Sequence, residues 1–324
     1  MNKDIISVAP GMNSPEFEIK SYTKLIAEHP ENKELYEGRG WCYFVNKEYN
    51  KALDDFQKAS DLAPQNTYAY GARLNDTIIS GGTQNLCVGI ASNTTVYDAG
   101  VQNVLSGTAS NTVITDGMQN IFNQGSAINT TINNGGQQYL KGGTAVNTII
   151  NNEGQQFIYY GANANTVTNE GTVILSSGGH LNNYSGNGNL YIYDSNTLSG
   201  TTDLGTGQLI FANNSPTTLN INHLSANNAV ISMNVNLENQ ATDQQDQLRI
   251  TNSYNGSATL SLRNTASVAN ETTSTGIKLV DIDDNATGTG TFELLGGKWD
   301  EGGYIYKLSQ STTIIQILMF RQRP

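Results

Sequence analysis

The dipeptide Asn-Thr returns at a constant step of 18, at Asn93-Thr94, Asn111-Thr112, Asn129-Thr130, Asn147-Thr148 and Asn165-Thr166. Gly89, Gly107, Gly125, Gly143 and Gly161 keep the same step, and so do the apolar residues Ile78, Val96, Ile114, Ile132 and Ile150. A short fixed period means that the chain coils and sets the same residue type above itself on each turn. The middle of this chain is therefore read as a solenoid. That moves the functional expectation from a buried pocket to a long surface.

The unit is clearest at 127–144, AINTTINNGGQQYLKGGT. Gln84, Gln102, Gln119, Gln137 and Gln155 form a further column with one slip to 17. Two positions beyond them lie Leu86, Val104, Ile121, Tyr139 and Phe157. Short apolar–polar alternations broken by Gly or Asn-Gly are strand-and-turn signals. Gly, Asn and Thr crowd the segment and are poor helix formers. Stacked turns ~4.8 Å apart would join the Ile/Val columns into a core and let Asn amides ladder from turn to turn. A step of 18 also suits a three-sided coil with six-residue faces.

Charged residues are 14% of the 324, against ~25% in ordinary globular domains, and the net charge is -11. From Leu74 to Leu248 the only basic side chain is Lys141, against ten carboxylates. Such a surface cannot neutralise phosphates, so nucleic acid and anionic membranes are poor partners. No run of ~20 apolar residues marks a transmembrane helix. The opening stretch, MNKDIISVAPGMNSPEFEIK, lacks the apolar core of a signal peptide. Cys42 and Cys87 stand in different segments and are read as packing residues, with no disulfide framework or metal site.

Residues 20–72 are Lys- and Glu-rich with helical spacing. The stretch from Lys33 to Asn66 resembles one tetratricopeptide repeat, with Gly40, Tyr43, Ala52, Phe56, Ala59 and Pro64 at the family's positions. Tyr22 and His29-Pro30 lie one such repeat length before Phe56 and Ala63-Pro64, as the second helix of a preceding repeat would. The segment Thr67-Tyr-Ala-Tyr-Gly-Ala-Arg73 reads as the start of a further repeat. The resemblance implies a peptide-binding groove. The alternative is a helical cap, with Tyr22, Leu25 and Tyr36 as core contacts.

After Gly179 the strict period fades, although alternation continues at 190–193, 208–211 and 229–235. At Asp246 a less repetitive pattern starts, carried by Asp246, Leu248, Leu260, Leu279, Val280, Phe292, Leu294, Gly303, Tyr304, Tyr306 and Leu308. It resembles the pertactin-like autochaperone end of bacterial autotransporter passenger domains, and the repeat unit resembles AIDA-type repeats of autotransporter adhesins. The resemblance implies a mainly β fold, a right-handed parallel β-helix with a small α-helical hairpin before it. It also implies export through a C-terminal barrel to the cell surface. The expected segments are a flexible leader at 1–19, the helical unit at 20–72, the repeat solenoid at 73–180 and less regular turns at 181–242. An autochaperone-like cap follows at 243–308 and an atypical tail at 309–324. The tail, SQSTTIIQILMFRQRP, reads like translation into another frame. With no signal peptide or barrel read, the chain as written is expected to stay in the cytoplasm, and only the family route takes it to the surface.

An enzymatic reading rests on Asp98 and Asp116. One repeat apart, they would stack on adjacent turns, with Asn134, Asn152 and Glu170 continuing the column. A carboxylate pair ~5 Å apart suits Ca²⁺ or a retaining glycosidase. Both residues precede Gly, however, where Asp and Asn are turn formers, and no Arg or Lys joins them. His29, His180 and His223 share no spacing. No catalytic, cofactor or metal residue is assigned. The function expected is a non-enzymatic, adhesin-like display passenger meeting a host surface protein or glycan. The alternatives are an intracellular tetratricopeptide module with a peptide partner and a β-helix polysaccharide hydrolase or lyase. Asn93-Thr-Thr95 and Asn129-Thr-Thr131 fit a glycosylation acceptor, but the repeat generates them automatically.

Overall fold

The computed structural model describes residues 14–62, 66–273 and 275–320. From Asn66 to Leu294 the chain winds as a parallel three-sided β-helix. One face stacks 83–86 on Val101–Val104, Met118–Phe122, Gln137–Lys141, Gln155–Ile158, Thr172–Leu175, Asn189–Ile192 and Gln208–Phe211, then on 230–232 and 259–260. A second face runs through 90–92, Thr108–Ser110, 126–128 and 144–146. A third runs through Ile78–Ser80, Thr95–Tyr97, Val113–Thr115 and 131–132.

The recurring Asn-Thr pair marks the corner between the second and third faces. Asn93, Asn111, Asn129 and Asn147 have φ of +56°, +53°, +56° and +58°, the left-handed region that Asn tolerates and a β-branched residue resists. Their side chains ladder outside: Asn93 Nδ2 donates to Asp76 Oδ1 at 3.0 Å, and Asn111, Asn129 and Asn147 each donate to the Asn Oδ1 of the previous turn at 3.1–3.2 Å. The Thr that follows turns inward: Thr94, Thr112, Thr130 and Thr148 are buried.

Facing the threonines is a glutamine spine. Gln84, Gln102, Gln119, Gln138 and Gln156 are wholly buried. From Gln102 onward each Nε2 donates to the Oε1 one turn earlier, at 2.8, 2.7, 2.7 and 2.7 Å. Gln119 and Gln156 also donate to Thr112 and Thr148 Oγ1 at 3.2 Å. A buried amide costs free energy unless it is bonded, and here the stacked amides and the facing threonines supply the bonds.

The counted columns are corrected at several places. The buried glutamines are Gln138 and Gln156, not Gln137 and Gln155, which bond to each other on the outside at 3.1 Å. The register steps by 17 from Gln102 to Gln119 and by 19 from there to Gln138. The interior column two positions on is therefore Leu86, Val104, Ile121, Leu140 and Ile158, while Tyr139 pairs with Asn120, and Phe157 with Tyr139, in an outward-facing column. Ile79, not Ile78, lies over Val96. Asn165-Thr166 and Gly161 keep the count of 18 but lose the register, because Thr144 pairs with Asn163. The extra residue enters the corner at 159–162, where Gly161 has φ +73°. The left-handed corner passes to Thr166 (φ +60°).

Helices α1 (Pro15–Glu28), α2 (Lys33–Val45) and α3 (Tyr49–Leu62) precede the coil. Ser14 and Asn32 cap the first two by accepting from Phe17 N and Glu34 N, satisfying orphan donors of the first turn. A Cβ on Gly40 would lie 2.8 Å from the Phe56 ring, so glycine there lets α2 and α3 close. Arg39 holds Asp55 with two bonds of 2.7 Å. Ala52 and Phe56 join the same buried cluster as Leu74, Ile79 and Leu86. The helical unit thus seals the solenoid end that would otherwise expose apolar core.

Three boundaries differ from expectation. α1 begins at Pro15, inside the expected leader, of which residues 1–13 lie outside the described residues. Asn66–Asn75 is a strand paired in parallel with Thr83–Ser92, not the start of a further helical repeat; its aromatic, Thr-containing sequence suits a strand. The tail is part of the fold. Ile314–Phe320 runs antiparallel to both Ile277–Ile282 and Tyr304–Gln310, with Ile315 and Ile317 buried. Alternating apolar residues let it cover the open edge of the last rung, where unpaired strand groups would invite association. Residues 321–324 lie outside the described residues.

Candidate binding face

The first face carries the surface features that sequence counting misses, because outward residues follow the register rather than the count. Asn85, Asn103 and Asn120 ladder through bonds of 2.8 and 2.9 Å. The next rungs of that column are Tyr139 and Phe157, stacked with centroids 4.5 Å apart and planes 6° apart. Tyr159 extends the stack at 6.4 Å. Lys141 Nζ lies 5.2 Å from the Tyr139 ring and 5.4 Å from Phe122, and donates to Asn120 Oδ1 at 2.9 Å. This is a cation–π clamp at the one basic residue of the repeat region.

Further along, the outward columns change from large to small. One reads Tyr191, Ile210, Ser232 and Ser261 on consecutive rungs. The other ends with Asn234 paired to Arg263. Tyr193, Ala212 and the small serines leave a depression of about 410 Å³ between the tyrosines and the arginine. Four rungs span ~14 Å. The Arg263 guanidinium donates from Nε to Asn234 Oδ1 and from Nη2 to Asn214 Oδ1, both at 2.8 Å. Asn234 is itself pinned: its N–H donates to Asp246 Oδ2 at 2.6 Å, and Asp246 Oδ1 accepts from Thr217 N at 3.0 Å. Burial pushes the Asp246 carboxyl up to about 6 against those two N–H bonds and the nearby Arg263. So the first residue of the distinctive C-terminal pattern is a buried clasp beneath the groove.

Between 83 and 263 no carboxylate stands on the strands of this face. Asp98, Asp116 and Glu153 occupy corners instead, with φ of +53°, +52° and +62°. The corner at Asp98 has one residue more than that at Asp116, since Val101 pairs with Met118 while Tyr97 pairs with Thr115. At the next turn the left-handed position passes to Gly135. The column Asp98, Asp116, Asn134, Asn152, Glu170 is therefore not a level stack. Asp98 accepts from Ser80 Oγ at 3.2 Å, and both carboxylates serve turns.

His29, His180 and His223 lie in separate parts of the molecule. His223 Nδ1 meets Ser253 Oγ at 2.9 Å and its Nε2 faces the Asn252 amide at 3.2 Å. This rung-to-rung contact lacks the carboxylate partner that orients the histidine of a catalytic triad. Cys42 Sγ donates to Glu18 Oε2 at 3.3 Å in the helical unit, and burial pushes the thiol up to about 12. Among the described residues no helix is long and apolar enough to cross a membrane, which leaves β-barrel strands out of account.

Fold and surface together define a class: a parallel β-helix, sealed by helices at one end and a reversed strand at the other, with ladders on its faces. Comparison with known proteins narrows the class. Residues 201–308 match the family model of Autochaperone Domain Type 1, and residues 34–66 that of the tetratricopeptide repeat. No curated protein matches the chain. A crystal structure of a TibC-catalysed, hyper-glycosylated TibA fragment (55–350) is similar at 24% identity with a TM-score of 0.47, covering 70% of this chain and 92% of that one. The chain is similar to a bacterial autotransporter passenger with a tetratricopeptide repeat before it.

Proposed function

We propose that the chain is a non-enzymatic, adhesin-like passenger, a β-helix displayed at the cell surface whose ladders meet a host glycan or surface protein. The observation that carries this reading is the autochaperone match over 201–308, on a β-helix whose outer surface repeats Asn ladders from turn to turn. Weak contacts repeated along a rigid rod add avidity without any deep site. The helical unit acts as the cap of the rod, since Ala52 and Phe56 are committed to its core; a peptide partner for it is the lesser reading.

Two assays test the proposal. Surface labelling of intact cells producing the full-length gene product should reach the β-helix. The purified chain should also bind host-cell or glycan-coated surfaces in a concentration-dependent way. Inertness on both surfaces, or label confined to lysed cells, contradicts it. Polysaccharide cleavage that disappears in the double variant D98N/D116N would replace it with the hydrolase reading.

A further inference from the structure

The geometry points to the groove between Tyr193 and Arg263 as a subsite for a sugar carboxylate, the acidic residue of a uronate- or sialate-containing glycan. The inference deepens the adhesin reading and rests on it for its biological setting. Its physical basis is the contrast between the groove and the rest of the molecule. The net charge is -11, yet this face carries no carboxylate from 83 to 263. Its two cations differ: Lys141 is spent on Asn120 and two rings, whereas Arg263 uses only part of its fork.

A guanidinium has five N–H donors. Arg263 gives one to Asn234 and one to Asn214, and Nη1 has no partner among the described residues. Those two bonds and the clasp under Asn234 fix the plane of the fork, so little side-chain entropy is lost when it closes on a carboxylate, the partner its geometry suits. The floor then offers Ser232 and Ser261 hydroxyls for sugar hydroxyls, and the far wall offers the Tyr191 and Tyr193 rings for the apolar face of a pyranose. The glycan is the occupant favoured over a peptide because the groove is shallow, open and hydroxyl-lined, with no strand edge to augment.

The test uses the full chain in titration calorimetry against four probes: sialyllactose, lactose, a trigalacturonate and its methyl ester. The charged member of at least one pair should bind, and its neutral counterpart at least ~10-fold more weakly. R263Q should remove that difference while the protein still melts in one cooperative transition. S232W, which fills the groove without touching the charge, should abolish binding of both members. Sialyllactose and trigalacturonate separate the two sources of the carboxylate. Equal affinity for charged and neutral probes, an unaltered preference in R263Q, or no binding of any probe overturns the inference. The wider reading is separated by cell adhesion: adhesion that persists in R263Q and S232W leaves the passenger reading standing and sinks the groove, and probe binding without adhesion does the reverse.

Discussion

The same interior column is built in two ways along one rod. In the early turns it is Gln84, Gln102, Gln119, Gln138 and Gln156, an amide chain hydrogen-bonded from turn to turn. At the next rung it becomes Val173, then Leu190, Leu209, Ile231 and Leu260. The neighbouring column changes in step, from Thr148 to Val167 and then Tyr184. Both halves keep the parallel ladder and a buried interior. A polar interior bonds from turn to turn only if each turn sets the same residue at the same rung, so register, kept through steps of 18, 17, 19 and 18, is a requirement of the early turns. An apolar interior needs only volume, so the later turns are free to vary in length, and the period fades there. The ladder ends as this demands: Gln156 Oε1 is buried without a partner, because Val173 offers no donor.

The largest effect expected from crossing the two designs is Leu209→Gln. It buries an amide between Leu190 and Ile231, losing apolar transfer energy and leaving unpaired groups, for about 3–5 kcal/mol. A shift of the denaturant midpoint against wild type measures it, and a neutral result would mean that the later interior is wet.

The later half also holds a buried carboxylate, which the glutamine rungs lack. Burial raises Asp246 from 3.8 to about 6, so the folded protein binds more protons than the unfolded chain between those values. Stability should therefore be highest below the ordinary carboxylate range and fall as pH rises through about 6, by at most about 3 kcal/mol. Unfolding curves from pH 3.5 to 7 should show this decline, and D246N should flatten it. A decline of equal size in D246N assigns the effect elsewhere.

Within the spine, Gln119→Leu strips a partner from Gln102 and from Gln138, and should cost about 1–3 kcal/mol. Gln156→Leu loses the bonds to Gln138 and Thr148, but it strips only one ladder neighbour and removes an oxygen that is already unpaired, so a smaller loss of about 1 kcal/mol is expected. Equal losses at the two positions would show that the ladder bonds do not act as a chain.

The period of 18 is enough to read a β-solenoid, the Asn turns and an apolar core. It is not enough to place side chains in or out. A strand alternates at every position, so a single step of 17 or 19 inverts everything that follows. That is why Tyr139 and Phe157 count with the interior column Leu86–Val104–Ile121 and yet stack outside. The groove is invisible in the sequence for the same reason: Tyr191, Ile210, Ser232 and Ser261 follow one another at unequal steps set by corner length. Asp246 is legible as part of a family-like pattern, but its clasp on Asn234 is not. The tail escapes a reading by period because a strand that closes an edge in reverse shares no repeat with the rungs it covers.

The register is most directly tested by cysteines at Asn120 and Tyr139, in a chain with Cys42 and Cys87 replaced by serine. The structure pairs the two positions across adjacent rungs on the outside, so a short bifunctional thiol reagent should link them rapidly within one molecule under native conditions. A uniform step of 18 would point position 139 to the opposite side of its strand. Absence of the link in the folded protein, with both thiols shown to react singly, would contradict the coil described.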